Sequence, residues 1–295
     1  MKKSIGILGA GNVGEAVGLA FRDRGHDVCF YDVCREKAER HGYRDFRNLV
    51  KECEIIYECI PTESLPDGGC DLSILRKVIE QVAECCQQDH VFVQMSTCVP
   101  GTARTMSKLI PCHYVVNPSN LRMASRFQDA ANPWKVILGV KDDYSTDVMR
   151  NVYWWVDPKD MFIGTYEFAE TAKYADNCMQ VTLIVFWNAM RKFTEEMGCF
   201  PELEKIIYAL ENTEALSTCG RYPGGAYGGP CFPKDVLALN RACQDMGGRA
   251  RLLEMFTGTL HSINRVLKDE KTLETPAQDL WQVVNGKVFL TKEIS

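Results

Sequence analysis

Ser4-Ile-Gly-Ile-Leu8-Gly9-Ala-Gly11-Asn12-Val13-Gly14 is the stretch that decides the fold. Its first five residues form a short apolar run of strand character, and a G-x-G-x-x-G turn follows at once. Val13, Ala16, Val17, Ala20 and Phe21 then recur at helical spacing, which predicts a helix ending by Gly25. Val28–Tyr31 reads as a second strand with Asp32 at its end. Strand, glycine turn, helix, strand and acid stand in the order of a dinucleotide-binding unit, and that order is more specific than the glycines alone. Gly9 permits the tight turn, Gly11 lets the backbone approach a pyrophosphate, and Gly14 allows close helix–strand packing. The pyrophosphate meets the positive end of the helix. Asp32 is expected to accept hydrogen bonds from the adenosine ribose and to repel a 2′-phosphate, which favours NAD over NADP. Arg35 and Lys37 lie close enough in sequence to leave NADP open. The competing reading is a glycine-rich turn that holds no nucleotide.

At 295 residues the chain is long enough for about two domains. An apolar fraction of 46% and a charged fraction of 25% are those of a soluble globular protein with a substantial core. A net charge of -5 offers no basic footprint for nucleic acid. Met-Lys-Lys-Ser leads straight into a strand, so no secretory signal is expected. The most apolar stretch, Cys178–Met190, is too short to span a bilayer and reads as a buried helix. Fourteen cysteines raise the question of disulfides or zinc, yet there is no C-x-x-C pair and the five histidines stand far apart. No metal is expected. Cysteines inside apolar runs, as in Val28-Cys29-Phe30, pack like small hydrophobes, and a reducing cytoplasm follows.

Alternation of strand and helix patterns continues beyond Asp32. Glu54–Ile60 is strand-like and ends at Pro61-Thr62. Asp71-Leu-Ser starts a helix to about Cys86 with Asp71 as its N-cap. His90–Met95 is a strand ending at Ser96-Thr97, and Tyr114–Val116 and Trp134–Val140 complete the set. Thr62, Thr97 and Asn117-Pro118 fall at the carboxyl ends of strands, where ligands bind in open α/β sheets; helix capping is the commoner task of such threonines. Around Asp157–Thr165 the pattern changes. Tyr166 to about Met197 reads as one long helix, and Lys173 and Asn177 share one of its faces. A helix over Glu202–Leu210 follows, and helices continue to about Leu267. The fold class predicted is α/β. An N-terminal Rossmann-like dinucleotide-binding domain spans 1–162, and an all-helical domain built on one long helix spans 163–267. A tail over 268–295 ends in a possible strand, Lys287–Thr291.

The second functional stretch is Tyr222-Pro-Gly-Gly225-Ala-Tyr227-Gly228-Gly-Pro-Cys231-Phe-Pro-Lys234-Asp235. A glycine run sets Cys231 in an open loop just ahead of a helix, with Pro233 in its first turn. A helix N-terminus lowers the pKa of a nearby thiol, and the thiolate is the nucleophile. A glycine–proline surface turn with an incidental cysteine would look the same in isolation.

These signatures together resemble the UDP-glucose/GDP-mannose dehydrogenase family. The matching motifs are the glycine turn, Asp71-Leu-Ser, Ser96-Thr97-Cys-Val-Pro-Gly-Thr, Asn117-Pro118, Lys173-Tyr-Ala-Asp-Asn177 and Gly228-Gly-Pro-Cys231-Phe-Pro-Lys-Asp235. They stand in family order as far as about Asn264. The Cys-Phe-Pro-Lys-Asp run is specific, whereas Lys-x-x-x-Asn also serves β-hydroxyacid dehydrogenases. The resemblance implies two successive NAD-dependent hydride transfers that turn a sugar's primary alcohol into a carboxylate. Cys231 attacks the intermediate aldehyde, Lys173 and Asn177 stabilise the developing oxyanion, Asp235 assists proton transfer, and Thr97 orients water or the substrate hydroxyl. It further implies cofactor contacts at Asn12, Val13, Pro61, Thr62 and Thr97, besides the glycines and Asp32. Substrate contacts are implied at Asn117, Ser119, Leu121, Lys173, Asn177, Tyr222, Gly225, Tyr227, Gly228 and Lys234. A homodimer through the long helix is implied too, in keeping with the apolar run Val181–Trp187, although packing within one chain would produce the same run.

The sequence departs from the family in three places. Ser119 and Met123 replace two glutamates, one of which helps activate the water that hydrolyses the thioester. Ala215 replaces an arginine that reaches a partner subunit's substrate, with Arg221 at a different spacing. About thirty residues follow the last matching helix, too few for the family's third domain. A smaller alcohol or sugar phosphate, or a partner protein completing the site, is the corresponding expectation. Two further readings stay open: a two-electron oxidation that uses Lys173 and Asn177, and an NAD-binding scaffold without turnover.

Overall fold

A computed structural model of the chain describes residues 2–196, 198–211, 226–246, 251–269, 281–284 and 287–290. β1 (Ser4–Leu8), α1 (Asn12–Asp23) and β2 (Asp27–Tyr31) fall where the apolar pattern puts them. Two short helices, α2 (Arg35–Glu39) and α3 (Phe46–Glu52), lead to β3 (Ile55–Glu58). After α4 (Ser73–Ala83) come β4 (Val91–Gln94), α5 (Thr102–Met106), β5 (His113–Val116) and α6 (Arg126–Ala131). β6 (Val136–Gly139), α7 (Asp143–Val152) and β7 (Met161–Gly164) then precede the long α8 (Tyr166–Glu196). The strands form one sheet of order β2-β1-β3-β4-β5-β6-β7. Pairing is parallel from β2 to β5 and between β6 and β7, while β5 and β6 run antiparallel.

Every residue of β3, β4 and β6 is buried, as expected for strands covered on both faces. Alternate side chains enter opposite cores. Ile5, Ile7, Tyr57 and Val93 pack with Val17 and Phe21 of α1 and Met149 of α7. Leu8, Ile56 and Phe92 pack with Leu49, Leu75, Ile79 and Tyr166 on the other side.

Several boundaries shift, each for a local reason. The expected helix over 71–86 begins at Ser73, because Asp71 Oδ1 accepts the Ser73 N–H at 2.8 Å and closes a turn ahead of the helix. The N-cap is therefore Leu72 and not Asp71. β7 occupies the region where the pattern was expected only to change; it is an edge strand with no fully buried residue. Tyr166–Glu196 matches the expected long helix.

The chain divides into two compact units. The first comprises Met1–Glu63 and Cys70–Lys173, the second Ser64–Gly69 and Tyr174–Ser295, so the division falls inside α8. The second unit contains the rest of α8, α9 (Leu203–Glu211), α10 (Phe232–Asp245) and α11 (Arg251–Asp269). It also carries a hairpin, β8 (Trp281–Val284) with β9 (Lys287–Leu290), where a single strand was expected in the tail. Cys178, Val181 and Val185 of α8 pack with Tyr227, Val236 and Leu260. Trp187 packs with Leu203 and Ile207. The apolar residues of the run Val181–Trp187 that lie in these cores are thus buried within one chain, which corrects its use as an argument for a dimer surface. No described helix is long and apolar enough to cross a membrane, and the described residues contain no cluster that could hold a metal ion.

Gly139 sets the start of α8. A Cβ there would lie 2.8 Å from both the Thr165 oxygen and the Tyr166 Cα, which are backbone atoms that cannot swing away. Gly139→Ala is expected to cost about 1–3 kcal/mol of stability, read as a lower urea midpoint at unchanged m-value.

Candidate active site

Glycine geometry builds the cofactor end of the first unit. Gly9 has a φ of 102°, and a Cβ on it would stand 2.6 Å from the Cys59 oxygen. On Gly14 a Cβ would fall 1.9 Å from the Gly9 oxygen. Nothing lies within 4 Å of a Cβ on Gly11, which is the N-cap of α1 and leaves open space beside the helix N-terminus. A closed turn beneath and an open cradle above is the arrangement a pyrophosphate requires. Asn12 is exposed at the helix start and Val13 is half-buried against the core. Asp32 sits at the end of β2 as expected: Oδ2 accepts the Ala10 N–H and Oδ1 the Cys34 N–H, both at 2.8 Å. Each oxygen retains a lone pair for a ribose hydroxyl. Arg35 is committed to Glu39 at 2.7 Å and lies over the Tyr43 ring, and Lys37 is exposed.

The neighbouring strand ends are tied to each other. The Thr62 hydroxyl donates to the Thr97 oxygen at 2.9 Å, beside an exposed Pro61. Beneath them lies a polar layer that the motif reading did not use. Glu58 is fully buried and touches Ser96, while Gln94 accepts the Tyr114 hydroxyl at 2.5 Å. Glu170 of α8, 2% exposed, accepts the Gly101 and Ala103 N–H groups at 2.7 and 2.8 Å and so caps the start of α5. Burial pushes both glutamates up to about 7, against the pull of their hydrogen bonds. The available signal was a carboxylate inside the apolar run Glu54–Ile60, where a charge needs a partner.

Asn117, Ser119 and Leu121 line a small cavity of about 40 Å³ together with Phe21, Met95 and Trp134. The Asn117 amide faces inward, donating to the Ile137 oxygen at 3.0 Å and accepting the Tyr153 hydroxyl at 2.6 Å, so it supports the loop. Ser119 Oγ accepts the Leu121 N–H at 3.4 Å, and Met123 is exposed.

In the second unit Cys231 is the N-cap of α10, and its oxygen accepts the Asp235 N–H at 2.9 Å. Pro233 takes the first-turn place expected of it. Among the described cysteines only Cys34 and Cys231 are exposed. Asp235 is fully buried: Lys234 Nζ lies 2.6 Å from its Oδ1, and Asn177 Nδ2 donates to its Oδ2. Lys173, the last residue of the first unit, is half-buried on α8. Gly228 is exposed and open, and Gly229 has a φ of 76°. Tyr227 departs from expectation. Its ring is 2% exposed inside the helical core, where burial pushes the phenol up to about 12, so it packs the unit instead of facing a ligand. Tyr222 and Gly225, like Ala215 and Arg221, lie outside the described residues.

Residues 41–157 match the model of the UDP-glucose/GDP-mannose dehydrogenase family's NAD binding domain, and residues 167–259 match that of its central domain. The chain belongs to this family. Its glycine turn and Asp32 precede the matched span. A putative UDP-glucose 6-dehydrogenase of Bacillus subtilis is 28% identical over 280 residues, covering 84% of this chain and 65% of that protein. The chain thus spans about 65% of the length of the curated relatives it matches. A UDP-glucose dehydrogenase structure from Pyrobaculum islandicum shares the fold at a TM-score of 0.80 and 23% identity, over 90% of this chain and 68% of that one. A 3-hydroxyisobutyrate dehydrogenase structure from Mycobacterium tuberculosis does so at 0.72 and 16%, over 92% of this chain and 100% of that one.

Within a family member's cofactor turn the contact between Gly14 and Gly9 leaves no slack. Gly14→Ala is expected to cost about 1–3 kcal/mol of stability, read by thermal unfolding, and to weaken NAD binding in a calorimetric titration. Glu170→Gln places one amide N–H against a backbone N–H donor. It is expected to lower stability by about 1–3 kcal/mol, measured by thermal unfolding.

Proposed function

We propose that the chain oxidises the primary alcohol of a sugar nucleotide or a smaller sugar to the carboxylate, with NAD as hydride acceptor and Cys231 as covalent nucleophile. The observation that carries this reading is the pairing of an exposed thiol at the N-cap of α10 with a buried Asp235 held by Lys234 and Asn177. NAD, when bound, would supply the hydride acceptor for the alcohol carbon, and the hydroxyl proton would leave to solvent. The Cys231 sulfur then bonds to the aldehyde carbon and the oxygen takes a proton, giving a thiohemiacetal. That adduct restores the tetrahedral, hydroxyl-bearing carbon from which a hydride can leave, which an aldehyde lacks. Oxidation of that adduct by a second NAD would remove a hydride and the hydroxyl proton to leave a thioester on Cys231, whose carbon would accept water as the C–S bond breaks and the thiol regains its proton. Asn177 and Lys173 stabilise the oxyanion, with Asp235 fixing the Asn177 amide. Asp235 assists proton transfer, and Thr97 orients water or the hydroxyl, as the resemblance implies.

A two-electron oxidation is the second reading, favoured by Ser119 and Met123, neither of which is a base near neutral pH. A homodimer accords with the exposed Met179, Met255 and Phe256 of the second unit. The free thiols accord with a reducing compartment such as the cytoplasm.

Cys231→Ala is expected to abolish sustained NADH production from the substrate that supports it in the native chain; full turnover in the variant would remove the covalent step. Two NADH per product identify the four-electron reaction, and one NADH the two-electron reaction. Lys173→Ala is expected to lower kcat roughly 10²–10³-fold, measured by steady-state NADH absorbance.

A further inference from the structure

Two carboxyl groups lie buried in the first unit near Thr62 and Thr97; both accept backbone N–H groups, and Glu58 alone also touches a hydroxyl. Each oxygen of Glu170 faces a backbone N–H, the surroundings of a carboxylate. Glu58 differs. Its Oε1 accepts the Ile60 N–H at 2.8 Å and also touches Ser96 Oγ, and Oε2 faces the Ser96 N–H at 3.4 Å. Ser96 Oγ lies in addition 2.5 Å from the Ile60 carbonyl oxygen.

A serine hydroxyl carries one proton. If it goes to the Ile60 carbonyl, an ionised Glu58 meets only a lone pair of Ser96. If it goes to Glu58, two bare oxygens meet at the carbonyl. Both contacts are satisfied together when Glu58 brings a proton of its own. Glu58 O–H then donates to Ser96 Oγ, and Ser96 O–H donates to the Ile60 oxygen. The protonated oxygen still has a lone pair for the Ile60 amide.

We infer that Glu58 is a neutral carboxylic acid that positions the 60–62 and 96–97 loops for NAD through a Glu58–Ser96–Ile60 relay. The inference rests on the NAD-binding reading of the first unit. Ile60 precedes Pro61 and Thr62, and Ser96 precedes Thr97, whose oxygen accepts the Thr62 hydroxyl. The Cys59 oxygen abuts Gly9, so a displaced Ile60 is felt in the glycine turn. Cys59, Cys98 and Tyr114 feel the charge of Glu58, and Glu170 acts on the same Cys98 and Tyr114. None of these groups is cationic, so an ionised Glu58 would have only the backbone N–H groups around it, those of Ile60 and Ser96 among them, to offset its burial. Its burial places the loss of the proton at about 7. The protonated form is the ordered one, and the loops lose their tie as the pH rises through that value.

The test is NAD affinity of the full chain against pH, in the native protein and in Glu58→Gln, which is neutral at every pH. The native dissociation constant is expected to rise about tenfold from about pH 6 to about pH 8, and the variant to show no such slope. An equal slope in the variant, or none in the native chain, overturns the proposal. Infrared spectra of the NAD-free protein give a second measurement. A protonated-carboxyl band is expected at about pH 6 that Glu58→Gln removes and Glu170→Gln leaves in place. Should that variant not fold, Ser96→Ala is expected to shift the band by deleting its hydrogen bond. Absence of the band overturns the proposal. Failure of the native chain to bind NAD at any pH refutes the NAD reading, and the infrared result still decides where the proton lies.

Discussion

The close approach of three backbone segments at the carboxyl ends of β1 and β3 governs the first unit. Gly14 rests against the oxygen of Gly9, and Gly9 rests against the oxygen of Cys59. No side chain fits at either contact, so the first turn of α1 is pressed onto the strand ends. That pressure aims the N–H groups of the helix at the space above Gly11 and brings Asp32 within reach of the Ala10 N–H. It also couples β3 to the turn, because any movement of Cys59 is felt at Gly9. The polar layer around Glu58 and Ser96 is built on this coupling, directly beneath the strand ends the cofactor would cover.

The group proposed to carry the chemistry in the second unit follows a different logic. Asp235 is fully buried, and a buried carboxylate persists only when it is paired and hydrogen-bonded. Lys234 and Asn177 meet that need from two separate helices. The arrangement fixes Asn177 on α8 relative to the first turn of α10, where Cys231 is the cap. The spacing Cys-Phe-Pro-Lys-Asp can be understood in these terms. The thiol must stay outside the helix, the proline belongs in the first turn, and the aspartate lies one turn in, facing the core.

Much of this was legible in the sequence because it depends on local rules. The strand–turn–helix–strand order, the uninterrupted α8 and the proline-marked start of α10 all follow from periodicity and backbone preference. The short helices α2, α3, α5, α6 and α7 escaped because few turns give weak periodicity. β7 escaped because its four residues, Met161–Gly164, are too short an apolar run to show a period. Tyr227 was misplaced for a related reason: a tyrosine in a glycine loop gives no local sign of packing against Val181 and Leu260, which are distant in sequence. Asn117 is similar, its amide satisfied by Ile137 and Tyr153. Glu58 and Glu170 were visible as letters, but their partners come from other elements. A hydrogen-bond inventory needs coordinates.

The antiparallel step between β5 and β6 sets the direction in which α8 travels. β6 and β7 run opposite to β1–β5, so α8 departs from the edge of the sheet farthest from the glycine turn. Tyr166, at its beginning, donates to the oxygen of Tyr114 near the start of β5. Glu170, one turn on, already reaches the loop that follows β4. A helix advances about 1.5 Å per residue, so the next turn carries Lys173 toward the nucleotide end of the unit. With all seven strands parallel, the same helix would begin at the nucleotide end and carry its lysine away from it. One reversed strand pair thus converts a lysine distant in sequence from the glycine turn into a group delivered toward it.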